Sequence, residues 1–164
     1  MIGNDIVDLV LARKESNWQR KGFLNKIFSC KEQLLIESAS SPEIMVWNLW
    51  TRKEAAYKIY NRQTGKRGFF PLRLECNYIN DCSGSVSCDG FEYYTQTQIF
   101  NDFIYTIAVT KKQYFNKILK LNFQSKITKV HGLPFIFDEV DLIYKPASIT
   151  HHGCFWEGIT LFNF

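Results

Sequence analysis

The spacing of hydrophobic and polar positions changes along this chain, and each change marks an element. Ile2 to Val10 is apolar and β-branched and reads as a strand, with Asp5 and Asp8 interrupting it. Asp8 equally suits a cap for the mixed helical pattern of Leu9 to Arg20. After the apolar stretch Phe23 to Phe28, Ser29 and Glu32 have the spacing of a capping box, which predicts a helix from Ser29 to about Ser38. Ser41-Pro42-Glu43 is the next start signal. From Glu43 to about Asn61, Val46, Leu49, Ala56 and Tyr60 keep near-helical spacing. Gly65 and Gly68 end that pattern. Phe69 to Ile79 then alternates like a strand, Asn80 to Gly84 is a turn, and Ser85 to Cys88 is a short strand. Asp89-Gly90 signals a hairpin, as does Asn101-Asp102 between Phe91–Phe100 and Phe103–Thr110. Lys111 to Leu121 reads as a short helix or a connector. Ile127–Val130 and Phe135–Phe137 flank the turn His131 to Pro134, and Ala147–Thr150 and Trp156–Phe162 form a last strand pair around His151-His152-Gly153. The expected class is α+β, with N-terminal helices packed on an antiparallel sheet. Without repeats or linkers, residues 1–164 read as a single domain.

Composition narrows the picture. A chain of 164 residues with 46% hydrophobic content can bury a substantial core, which argues against disorder. Five cysteines, an odd number without Cys-x-x-Cys spacing, indicate reduced thiols rather than a disulfide frame or a zinc ribbon. No basic-then-apolar leader is visible, and no run approaches the ~18 apolar residues of a membrane span, so a soluble, cytoplasmic protein is expected. The net charge of +4 suits an acidic or phosphorylated partner. Its basic residues are interspersed with acidic ones, unlike a nucleic-acid-binding arm.

Two stretches carry candidate chemistry: Gly3-Asn4-Asp5, and Trp50-Thr51-Arg52-Lys53-Glu54-Ala55-Ala56-Tyr57-Lys58. A carboxylate at Asp5 inside an apolar strand is costly unless it is paired, bound or capping a turn. Glu54 and Lys58 are spaced i,i+4, as in many surface ion pairs, but Trp50 shares their helix face, as befits a partly desolvated site. Lys66 and Arg67, between two glycines, suit either the helix dipole or a phosphate. Ser148, Thr150 and His151 put hydroxyls and an imidazole at a strand end, where binding groups gather. Ser148 with His151 lacks the Gly-x-Ser-x-Gly setting of a hydrolase nucleophile, and His131 reads as a turn residue.

Together, Ile2-Gly3-Asn4-Asp5-Ile6, Phe28-Ser29-x-x-Glu32, Trp50-x-x-Lys53-Glu54-Ala55-x-x-Lys58 and Ser148-Ile149-Thr150-His151 resemble the 4′-phosphopantetheinyl transferase superfamily. With the histidine strand last, the order is that of the small holo-acyl-carrier-protein synthases. Residues 113–164 then look like an added or rearranged C-terminal segment. The resemblance implies transfer of 4′-phosphopantetheine from coenzyme A to a serine of an acidic apo carrier protein, acyl or peptidyl, releasing 3′,5′-ADP. It implies Mg²⁺ on Asp5 and Glu54, with Glu54 or a metal-bound water as base and Lys58 at the leaving phosphate. Ser148, Thr150 and His151 would contact coenzyme A, with Lys58, Lys66 and Arg67 on its phosphates. Position 7 is Val where larger members often carry a third acidic ligand, and Asp8 should face the other side of the strand. Two alternatives stay open: a non-catalytic relative that binds coenzyme A or a carrier, and a basic nucleic-acid-binding module. Homo-oligomerisation would follow if the site needs groups from two copies of the fold.

Overall fold

A computed structural model describes residues 1–162. The described residues form a helical layer over one of two antiparallel five-stranded sheets. The first sheet is built from β1 (Ile2–Asp8), β2 (Glu75–Asn80), β3 (Ser83–Cys88), β4 (Phe91–Ile99) and β5 (Phe103–Val109), in the order β1-β5-β4-β3-β2. The second comprises β6 (Ile118–Leu121), β7 (Ile127–Val130), β8 (Leu133–Asp138), β9 (Ile143–His152) and β10 (Phe155–Leu161), in the order β6-β10-β9-β8-β7. Helices α1 (Leu9–Glu15), α2 (Phe23–Ile27), α3 (Cys30–Ser38) and α4 (Pro42–Thr64) lie between β1 and β2 in the chain.

The α+β expectation holds, with one enlargement: the antiparallel strands form two sheets, not one. Asp8 takes its capping role, its Oδ1 accepting the Leu11 N–H at 3.0 Å, so β1 stops there and α1 follows. The capping box closes as predicted, Ser29 N–H donating to Glu32 Oε2 at 2.7 Å and Glu32 N–H to Ser29 Oγ. α4 is longer than expected and ends at Gly65, whose φ of +69° is the left-handed cap that glycine adopts without a Cβ penalty. The strand expected over Phe69 to Ile79 begins only at Glu75, because Pro71 opens a 3-10 turn, Pro71–Arg73. Lys111 to Leu121 divides into a 3-10 turn (Lys112–Lys117) and β6. β9 runs on through His151 and His152, so these histidines sit within a strand rather than in the turn beyond it. The single-domain expectation extends over Asn163 and Phe164, which lie outside the described residues.

The core follows from α4, whose Val46, Leu49, Ala55, Ala56, Ile59 and Tyr60 are all fully buried. They pack on Val7, Ile104, Ala108, Val86 and Tyr93 of the first sheet. β1 lies so close to α4 that a Cβ on Gly3 would sit 2.1 Å from the Ala55 carbonyl oxygen, a backbone atom that cannot swing aside. Gly3→Ala is therefore expected to push strand and helix apart and to cost about 1–3 kcal/mol or more in a urea titration. An unchanged unfolding midpoint would refute that account of Gly3.

β1 meets the second sheet in an unusual way. Its N–H groups at Asn4, Ile6 and Asp8 donate to side chains of β9: Ser148 Oγ at 3.0 Å, Thr150 Oγ1 at 3.2 Å and His152 Nδ1 at 2.8 Å. The period of two on both strands lets three side chains stand in for a backbone ladder. This seam holds the two sheets together beside Asp5.

Candidate active site

Gly3, Asp5 and Val7 share the face of β1 that lies under α4, and Asp8 faces the other way, as its position in the strand predicts. Asp5 Oδ1 accepts Lys58 Nζ at 3.2 Å and Thr150 Oγ1 at 3.0 Å. Lys58 Nζ also donates to the carbonyls of Asn4 at 2.6 Å and Ile149 at 3.2 Å. One ammonium therefore links α4, β1 and β9 at the seam. Glu54, one helical turn before Lys58, makes no hydrogen bond or ion pair among the described residues.

Electrostatics set the two carboxyls apart from ordinary surface acids. Burial, then the neighbouring Asp5 charge, push Glu54 up to about 7 from a usual 4.5, against the opposing pull of Lys58. Burial also holds Asp5 above the usual carboxylate range, despite the Lys58 charge and the hydrogen bonds from Lys58 and Thr150. Two carboxyls that raise each other's cost of charging, only Asp5 of them ion-paired, describe a place for further positive charge.

Both face a cavity of about 320 Å³, walled by Trp47, Trp50 and His151 among others. Trp47 contributes a buried indole N–H without a partner among the described residues. A second cavity, of about 310 Å³, shares His151 with the first and takes in Tyr57, Lys58, Arg62, Ser148 and Lys129. The two cavities therefore meet at His151.

Most of the predicted site residues converge. Asp5, Glu54 and His151 line the first cavity, and Lys58, Ser148 and His151 the second. Ser148 and Thr150 also hold the seam, so their hydroxyls are structural partners of β1 as well as neighbours of the site. Thr150→Val removes the contacts to Asp5 and to the Ile6 N–H. It is expected to cost about 1–3 kcal/mol of stability, the usual penalty for stranding buried polar groups. A Tm equal to that of the parent would contradict this role.

Lys66 and Arg67 do not join the carboxylates. Lys66 Nζ lies 3.8 Å from Asp89 Oδ2, at the β3–β4 turn, and Arg67 donates to the His131 carbonyl. The chain leaves the end of α4 toward these partners, carrying both cations away from the first cavity. Lys53 also points away from the site, into the core. Its fully buried ammonium donates to Glu32 Oε2 at 2.8 Å and to the carbonyls of Ile27 at 3.0 Å and Pro71 at 2.9 Å. Arg62 and Trp47 also line these cavities and were not among the residues the sequence points to. Arg62 did have a signal, being four residues after Lys58 on the same helix.

Among the described residues no group of three or more His, Cys, Asp or Glu gathers in a metal-binding cluster. Two carboxylates alone are still a fitting donor set for Mg²⁺, which keeps several water or substrate oxygens in its shell. Glu54, partly buried and without a hydrogen-bond partner among the described residues, is the kind of group a cation would satisfy.

A long helix across an antiparallel sheet, with two partly buried carboxyls at a seam to further strands, places the chain in a definite class of α+β protein. The signature of the 4′-phosphopantetheinyl transferase superfamily matches residues 1–109, and the chain belongs to that superfamily. A holo-[acyl-carrier-protein] synthase of Verminephrobacter eiseniae is 36% identical over 59 residues, 36% of this chain and 45% of that protein. The match thus spans less than half of that relative's length. Among solved structures, apo-ACPS of Chronobacterium ammoiniagenes superposes with a TM-score of 0.53 at 14% identity, over 66% of this chain and 93% of that one. The Helicobacter pylori holo-[acyl-carrier-protein] synthase in complex with coenzyme A gives 0.52 at 18% identity, over 68% and 100%. These likenesses establish the fold. No helix among the described residues is long and apolar enough to cross a membrane.

Proposed function

We propose that this protein transfers the 4′-phosphopantetheine arm of coenzyme A to a serine hydroxyl of an apo carrier protein, with 3′,5′-ADP as the other product. The observation that carries the reading is the partly buried pair Asp5 and Glu54, both with raised pKa, on the wall of the first cavity beside Lys58. Asp5 and Glu54 would hold Mg²⁺, which supplies positive charge against the pyrophosphate. The serine oxygen forms a bond to the phosphorus that carries the pantetheine arm. The bond to the bridging oxygen breaks, and its electron pair leaves on the 5′-phosphate of 3′,5′-ADP. Glu54, or a metal-bound water beside it, would accept the serine proton. Lys58 offsets the charge on the leaving phosphate. Ser148, Thr150 and His151 would lie along coenzyme A. Arg67 sits on the rim of an opening beside the second cavity, whereas Lys66 is turned toward Asp89.

Carrier proteins are acidic, and the net charge of +4 favours their approach. β9 reaches Asp5 within the same chain, so a site completed in cis is part of this reading.

The test combines purified protein, Mg²⁺, coenzyme A and a panel of apo acyl and peptidyl carriers. A carrier mass gain of one phosphopantetheine arm is expected. Coenzyme A binding with no carrier modified would instead identify a non-catalytic relative. Calorimetric titration of Mg²⁺ into the protein gives an activity-independent check, because Asp5→Asn should remove the binding heat.

A further inference from the structure

Asp5 offers its carboxylate oxygens unequally. Oδ1 accepts both Lys58 Nζ at 3.2 Å and Thr150 Oγ1 at 3.0 Å, whereas no described side chain donates to Oδ2. The Thr150 hydroxyl has a single proton to give. Its oxygen accepts the Ile6 N–H at 3.2 Å, so that proton is turned toward Asp5 and not toward the strand. Thr150 is buried on β9, where it pairs with Glu157 of β10. A β-branched side chain is stiff at χ1, and a hydrogen bond on either side of the hydroxyl fixes where it stands.

Lys58 is held as firmly. Besides Asp5 Oδ1, its ammonium serves the carbonyls of Asn4 at 2.6 Å and Ile149 at 3.2 Å, which uses all its protons. Both partners of Oδ1 are thus anchored on the backbones of β1 and β9, and the Asp5 carboxylate is anchored with them. Turning it to present both oxygens to one ion would break a bond to a buried hydroxyl and a bond to an ammonium. What remains for a cation in the cavity shared with Glu54 is one oxygen.

We propose that Thr150 is a positioning residue that makes Asp5 bind a cation through Oδ2 alone, and that this makes the site favour a small octahedral ion over Ca²⁺. The inference rests on the reading of Asp5 and Glu54 as cation ligands. Mg²⁺ and Mn²⁺ take an octahedron of single oxygens, which a carboxylate held this way can join without turning. Ca²⁺ fills a larger shell, for which carboxylates often supply both oxygens. A carboxylate locked on one oxygen withholds that contribution, so the discrimination acts against the larger ion.

The probe is Mn²⁺, whose free aquo ion gives an electron paramagnetic resonance signal that is lost on binding. The intact protein is titrated with Mn²⁺, and the bound ion is then displaced with Ca²⁺. The ratio of Mn²⁺ to Ca²⁺ affinity is expected to fall at least about threefold in Thr150→Val, part of the worth of one charge-assisted hydrogen bond. Thr150→Ser keeps the hydroxyl and should keep the ratio. A merely structural role for Thr150 would lower stability and leave this ratio unmoved. If Thr150→Val does not fold, infrared difference spectra of the wild-type protein with and without Mn²⁺ decide, using aspartate isotopically labelled at its side-chain carboxyl. Coordination through one oxygen widens the separation of the two carboxylate stretches, and coordination through both narrows it. An unchanged ratio in Thr150→Val, an equal loss in Thr150→Ser, or a narrowed separation overturns the proposal. Wild-type protein that binds no Mn²⁺ sinks the cation reading together with it. A preference that depends on Thr150 in a protein that modifies no carrier leaves the positioning role standing and sinks the transferase reading.

Discussion

Glu54→Gln is expected to abolish transfer and, at the same time, to stabilise the metal-free protein at pH 8. The two effects share a cause. In the folded protein the Glu54 carboxyl is pushed up to about 7 by burial and by Asp5, from 4.5 in the unfolded chain. Between those values the folded state keeps a proton that the unfolded state has lost. Folded protein therefore binds more protons, and stability falls as pH rises through that window, levelling off above it. The full difference corresponds to about 3 kcal/mol at 1.36 kcal/mol per pKa unit. Glutamine has no charge to desolvate, so the variant should regain about 1–3 kcal/mol at pH 8, or several degrees in Tm for a chain of this size. Near pH 4.5 the two proteins should melt together. Removal of a general base should cost about 10²–10⁴-fold in rate. Undiminished transfer by the variant would remove Glu54 from the mechanism. A Tm at pH 8 below that of the parent would refute the desolvation account.

Lys53→Met is expected to show the opposite pattern, a large loss of stability with no direct effect on chemistry. Lys53 and Glu32 form an ion pair with neither side chain exposed, and the ammonium donates to two backbone carbonyls besides. Glu32 is held further by the N–H groups of Ser29 and Cys76, at 2.7 and 2.8 Å. This network joins the start of α3, the middle of α4, the Pro71 turn and the start of β2. Methionine would fill the volume but leave a buried carboxylate without its cation, a change that costs about 3–5 kcal/mol. The expected readout is a fall in the denaturation midpoint, partly recovered in the double variant Lys53→Met/Glu32→Gln. Protein that still folds at low temperature should keep its kcat. A loss below about 1 kcal/mol, or a kcat defect in a fully stable variant, would show that the pair is not the structural clamp described.

The contrast between Lys53 and Lys58 shows how far sequence reading reaches. Both ammoniums stand on the same helix, five residues apart. Helical spacing alone pairs Lys58 with Glu54, which is correct as to face, but in the folded protein Lys58 binds Asp5. Nothing local announces that Lys53 turns inward, because its partners come from α2, α3 and the Pro71 turn. Lys66 and Arg67 suited either the helix dipole or a phosphate, and the path of the chain after Gly65 parts them from the carboxylates, Lys66 toward Asp89 and Arg67 toward an opening beside the second cavity.

What the sequence determined by itself rests on short-range physics. The capping box at Ser29 and Glu32, the apolar face of α4, its glycine stop at Gly65 and the Asp89-Gly90 hairpin are all settled within a few residues. They emerged with only their ends displaced. The motifs around Asp5, Glu54, Lys58 and His151 were legible for the same reason, as short patterns tied to particular elements. Tertiary structure alone decided that there are two sheets, and that β1 joins β9 through Ser148, Thr150 and His152. It also left Arg62 Nη1 buried against a hairpin some seventy residues away in the chain. Those outcomes depend on which hydrogen-bonding edges meet and which charges lose their water, and both are set only when distant segments pack.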